Sequence, residues 1–149
     1  MTYRKKVCRI YLAVPMDGIP TSAVRRNEQY FRIALSKLPV RVTSTMSAAE
    51  RSVLNEDLDL ATKANRIVEH DLHLLRRADL VLLDLSKPGH TYVGCICEMV
   101  YAHLMKIPIV AYVGDTDNGS RIWLVYHCKA ICKTTAELKL EVAQLLHLM

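Results

Sequence analysis

Two acids, Asp71 and Glu98, stand where the periodicity of the chain asks for apolar residues. Along residues 64–75 the spacing of Ala64, Ile67, Val68, Leu72 and Leu75 draws one helical stripe, and Asp71 falls inside it. Residues 93–105, VGCICEMVYAHLM, are apolar on nearly every side, which predicts a largely buried helix with Glu98 as its only acid. An ionised carboxylate buried without partners costs several kcal/mol, roughly, so such acids are either neutralised or used. Used acids of shifted pKa serve as nucleophiles or as general acids and bases. The structural alternatives are a backbone cap for Asp71 and an ion pair of Glu98 with Arg66 or a histidine.

The elements that must position these acids alternate between strand and helix. Apolar runs at residues 7–14, 40–44, 80–85, 107–113 and 130–133 read as strands, and helical patterns cover 22–37, 61–77, 93–105 and 135–148, the last capped by Thr134 or Thr135. This alternation predicts a single α/β domain, residues 1–149, with a doubly wound, mostly parallel five-stranded sheet of the flavodoxin or Rossmann kind. Strand order is not readable from the pattern. Residues 39–65 are the least periodic and read as an irregular excursion or a lid. In doubly wound sheets ligands bind beyond the carboxyl ends of the strands, which points to the loops 15–21 and 86–92.

Composition narrows the function classes. With 149 residues and 51% hydrophobic content the chain can build a core without disulfides. Five cysteines and no export pattern fit reduced thiols and a cytoplasmic protein, and no segment is apolar for the length a membrane span needs. Neither Cys95 with Cys97 nor Cys128 with Cys132 and His127 makes a four-ligand set, so no metal is expected. The net charge of +5 comes from scattered basic pairs without interleaved aromatics, which argues against nucleic acid and for a small anionic ligand.

Three segments taken in order resemble the nucleoside 2-deoxyribosyltransferase family and its relatives, the 2'-deoxynucleoside 5'-monophosphate N-hydrolases. They are RIYLAVPM (residues 9–16), IVEHDLHLLRRADLVLLDLSKP (67–88) and VGCICEMVYAHLMKIPIVAYV (93–113), the last carrying a Gly-x-x-x-Glu-x-x-x-Ala helix from Gly94 through Glu98. RIWLVYHCKAICKTTAEL is a weaker fourth match. The resemblance implies cleavage of the N-glycosidic bond of a 2'-deoxynucleoside or its 5'-monophosphate. It makes Glu98 the nucleophile, Asp71 the proton donor or orienting acid, and Tyr11 the hydroxyl that positions Glu98. It also implies a small-molecule nucleoside or nucleotide partner, no cofactor, and a homo-oligomer.

The chemistry of the residues agrees with that implication. Breaking the bond develops oxocarbenium character at the anomeric carbon, which a carboxylate can trap as an ester while a second carboxyl protonates the departing base. One departure stands out: many transferases have an Asp six residues before the catalytic Glu, where this chain has Tyr92. That change leans toward the hydrolases, as do Arg25 and Arg26, candidates to meet a 5'-phosphate, with Ser120 a weaker one. Asp84, at the expected active edge, is a candidate for a sugar hydroxyl. A third reading is a nucleotide-binding module that has lost its chemistry.

Overall fold

The computed structural model describes residues 6–43 and 53–149. In chain order these form β1 (Cys8–Ala13), α1 (Thr21–Ala34), β2 (Val40–Thr43), α2 (Leu60–Arg76), β3 (Leu80–Asp84) and α3 (Val93–Leu104). There follow β4 (Ile109–Tyr112), a 3-10 turn (Asp117–Ser120), α4 (Ile122–His127), β5 (Ala130–Cys132) and α5 (Thr135–Leu148). The strands pair in the order β2-β1-β3-β4-β5, and every pairing is parallel. This is the flavodoxin-like order, which reverses beside β1 and so opens a crevice between the carboxyl ends of β1 and β3. Part of the irregular excursion, residues 44–52, lies outside the described residues.

Alternation along the strands divides the interior into two cores. Ile10 and Leu12 of β1 join Leu80 and Leu82 of β3 against Val24 and Phe31 of α1 and Leu138 and Val142 of α5. Tyr11 and Ala13 face the other way with Val81 and Leu83, against Leu72 of α2, Met99 of α3 and Leu124 of α4. A parallel sheet covered on both sides needs such unbroken apolar strands, and β3 is buried at all five positions. Side-chain oxygens close two helix starts: Asp59 accepts from the Thr62 N–H at 2.8 Å, and Thr134 from the Glu137 N–H at 3.2 Å.

Two sequence expectations are corrected here. α3 is not largely buried: only Cys95, Met99 and Ala102 face inward, because a helix laid on a sheet buries one stripe and leaves the rest of its circumference outside. The α2 stripe is likewise narrower than its spacing suggested, with Leu72 and Leu75 buried and Val68 half exposed. α4, which no sequence pattern marked, is too short to show a period.

Candidate functional site

Tyr11 sits toward the carboxyl end of β1, in register with Val81 of β3, and its ring is fully buried. A buried phenol needs a partner for its hydroxyl, and here it donates to Glu98 Oε1 at 3.0 Å. Glu98 lies midway along α3. Asp71 comes from the adjacent α2, near enough for its charge to act on Glu98. Burial and then the Asp71 charge push the Glu98 carboxyl up to about 8, with the Tyr11 hydrogen bond pulling the other way. Glu98 as a residue is only half-buried, so its enclosure is concentrated at the carboxyl end. Arg66, the alternative ion-pair partner, instead bonds Glu56 at 3.0 Å.

These three side chains can hold one proton between two acids and give one carboxylate a fixed rotamer. That is the equipment for trapping a positive carbon and protonating a leaving group.

A second polar group is built at the end of β3. Asp84 is 1% exposed. Its Oδ1 accepts from the Ser86 backbone N–H at 3.1 Å and the Ser86 hydroxyl at 2.6 Å, and its Oδ2 accepts from Asn27 Nδ2. Burial raises its pKa, and the Ser86 and Asn27 donors offset part of that rise. Asp84 floors a hollow of about 390 Å³ whose walls include Pro15, Arg26, Tyr30 and Lys87. An adjoining hollow of about 400 Å³ shares Asn27, Tyr30 and Ser86 and runs on to Tyr112 and Thr116. Asn118 Nδ2 donates to the Leu85 carbonyl at 2.7 Å and ties the loop after β4 to this edge.

Glu98, Asp71 and Tyr11 line neither hollow, because Tyr11 faces the α2/α3 side of the sheet while the hollows open on the α1 side. Cys95, in the first turn of α3, lies within electrostatic reach of both groups. Burial holds its thiol far above the usual range, and the charges of Glu98 and Asp84 both add to the rise.

The structure thus brings Tyr11, Asp71 and Glu98 together, and it puts Arg26 and Asp84 on one hollow. Arg25 is exposed and lines neither hollow, and the Ser120 hydroxyl donates to the Asp117 carbonyl at 3.1 Å in the 3-10 turn. Tyr92 opens α3 in the left-handed region with φ 57°, its side chain turned inward and its hydroxyl donating to the Lys87 carbonyl. This folds loop 87–92 back on itself. Gly94 is exposed in the first turn of α3, with open space where a Cβ would stand. Asn27, Tyr30 and Tyr112 were not anticipated, and Ser86 only as the first residue of the loop 86–92. Asn27 had a signal, since it sits three residues after Val24 and four before Phe31, on the buried stripe of α1.

No family model matches the sequence, and no curated protein does. Solved structures match by shape. The 2-deoxyribosyltransferase of Bacillus psychrosaccharolyticus is similar with a TM-score of 0.64 at 14% identity, over 89% of this chain and 90% of that one. The CMP N-glycosidase of Clostridium botulinum is similar with a TM-score of 0.56 at 13% identity, over 91% and 98%. A Francisella response-regulator receiver domain also matches, with a TM-score of 0.50 at 11% identity, over 94% and 97%. At these identities the likeness establishes the fold, a five-stranded parallel α/β domain on which both glycosyl-bond enzymes and a signalling module are built.

Proposed function

We propose that this protein cleaves the N-glycosidic bond of a 2'-deoxynucleoside or its 5'-monophosphate through an ester on Glu98. The observation that carries the reading is the Tyr11 hydroxyl held on Glu98 beside Asp71, with the Glu98 carboxyl raised to about 8. In the first step the proton that Glu98 holds in the free protein passes to Asp71, and a Glu98 oxygen, now of a carboxylate, bonds to C1' of the sugar. The C1'–N bond breaks with its electron pair going to the base, whose nitrogen takes a proton from Asp71. In the second step the oxygen of water or the nitrogen of another base bonds to C1', and Glu98 leaves as carboxylate while the acceptor's proton returns to Asp71. Tyr11 stabilises the carboxylate as it forms and holds its rotamer. The fold likeness to a 2-deoxyribosyltransferase and a CMP N-glycosidase supports the same chemistry.

Hydrolysis of a monophosphate is the form of this reaction that Arg26 and Lys87 favour, since both stand on the hollow floored by Asp84. The sugar then lies across the carboxyl edge of β1 and β3, between that hollow and Glu98. The test is chromatography of the protein incubated with deoxynucleosides and their monophosphates, each with and without a different free base. Base released from monophosphates alone, without exchange, supports the N-hydrolase, and exchanged bases support the transferase. Binding without turnover of any of them would overturn the reading in favour of a non-catalytic nucleotide module.

A further inference from the structure

We infer that the substrate carries a second nucleoside on its phosphate, a dinucleoside 5',5'-diphosphate whose far half lies in the hollow beyond β4. This rests on the reaction proposed above for the place of the sugar, and deepens it by naming the substrate class. The two hollows follow one another along the sheet. The first lies between Pro15 after β1 and Asp84 at the end of β3, and the second between Ser86 after β3 and Asp115 after β4. Both are walled by Asn27, Tyr30 and Ser86, so they form one trough. At about 390 and 400 Å³ they are matched in size, each near the small end of the roughly 300–1,000 Å³ of small-molecule sites. A monophosphate whose sugar stands beside Glu98 ends in the first hollow and leaves the second to water. With the longer substrate the bond broken is the same: water supplies the hydroxyl at C1', the base leaves with its proton, and the diphosphate stays joined to the second nucleoside.

The two halves differ in chemistry, and the difference sets which part of the ligand each takes. Arg26 and Lys87 stand on the first, two cations for the two charges of a diphosphate diester. The described lining of the second has no basic side chain; it has the exposed Asp115 and the rings of Tyr30 and Tyr112. A carboxylate repels phosphate and accepts from the exocyclic amine of a base. The two tyrosines form a braced platform. Both rings meet the fully buried Phe31 edge to face, at 5.4 and 5.3 Å, and their hydroxyls are 3.3 Å apart. Tyr30 nevertheless stays 47% exposed, an aromatic surface on which a flat ring can stack. Gly114 draws the loop after β4 against the loop after β3, at φ 55° and with Ser86 Cβ 3.2 Å from where its own Cβ would stand. The Thr116 hydroxyl fixes that loop by donating to the Val113 carbonyl at 2.7 Å.

The test is titration calorimetry of Glu98→Gln protein, with initial rates of the wild type beside it. The ligands are a deoxynucleoside 5'-monophosphate, its 5'-diphosphate, and two of the same deoxynucleosides joined through a 5',5'-diphosphate, each prepared with all four bases. We expect the joined compound to bind at least about tenfold more tightly than the 5'-diphosphate, the gain of one stacked base, and its KM to fall by a similar factor. Tyr30→Ala, a change at an exposed position, should cut that advantage to about twofold or less. Equal affinity for the joined compound and the 5'-diphosphate overturns the inference, and so does an advantage that Tyr30→Ala leaves whole. A 3',5'-linked dinucleotide bound more tightly than the joined compound assigns the trough to a nucleic-acid end and overturns it too. Binding is read without turnover. Tight, Tyr30-dependent binding with no base released by the wild type upholds the dinucleotide as ligand while the glycosidic reading fails, whereas base release from monophosphates with no gain from the second nucleoside overturns this inference alone.

Discussion

Removing the Tyr11 hydroxyl should raise the titration midpoint of Glu98. In the folded chain that hydroxyl donates to Oε1 at 3.0 Å and opposes the upward pull of burial and of Asp71. A hydrogen bond to a charged group contributes about 1.5–3 kcal/mol and one between neutral groups about 0.5–1.5, so the bond favours the carboxylate over the acid by about 1–1.5 kcal/mol. At 1.36 kcal/mol per unit that difference is about one pH unit. Tyr11→Phe should therefore move Glu98 from about 8 to a midpoint about one unit higher. The assay is a carbon-13 carboxyl titration of glutamate-labelled protein, with Glu98→Gln to assign the resonance. Because an attacking carboxylate must be ionised, the rising limb of kcat/KM should shift by the same amount. A midpoint that stays put or falls in Tyr11→Phe would refute the reasoning.

Other outcomes follow from the same contacts. The folded chain keeps a proton on Glu98 up to about 8, whereas the unfolded chain releases it near 4.5, so stability should fall as pH rises through that window. The slope is at most about 1.4 kcal/mol per unit, and thermal melts of Glu98→Gln between these pH values should lack it; an unchanged slope counts against the assignment. Asp84→Asn turns an amide N–H toward donors from Asn27 and Ser86, which should cost about 1–3 kcal/mol in urea unfolding. Wild-type stability in that variant would mean the carboxylate is not organising the edge. Arg26→Ala should raise KM for a deoxynucleoside monophosphate about tenfold and leave KM for the nucleoside unchanged, whereas equal changes in both would remove Arg26 from phosphate binding.

The fold was legible because its strands are unbroken apolar runs and its helices carry stripes, and observed boundaries depart from the expected ones by only a few residues. Strand order was not legible, since β1 pairs with both β2 and β3 through contacts far apart in sequence. Asp71 and Glu98 announced themselves as acids on apolar helices, and they do lie together with Tyr11. The hollow at Asp84 was less visible, because Ser86, Tyr30 and Tyr112 read as ordinary loop, helix and strand residues until three elements converge. The same apolar pattern that revealed α3 also misled: a helix hydrophobic all round suggested burial, where the structure leaves its outer stripe exposed. Periodicity reports which faces avoid water and not what covers them.

The claim that Glu98 forms a glycosyl ester is tested most directly by rapid quenching of the protein with a 2'-deoxynucleoside or its monophosphate, followed by peptide mass spectrometry. We expect the deoxyribosyl or phosphodeoxyribosyl mass on the peptide containing Glu98, with one base released for each adduct, and neither product from Glu98→Gln. Base release from Glu98→Gln at the wild-type rate, or an adduct on another residue, would contradict the account.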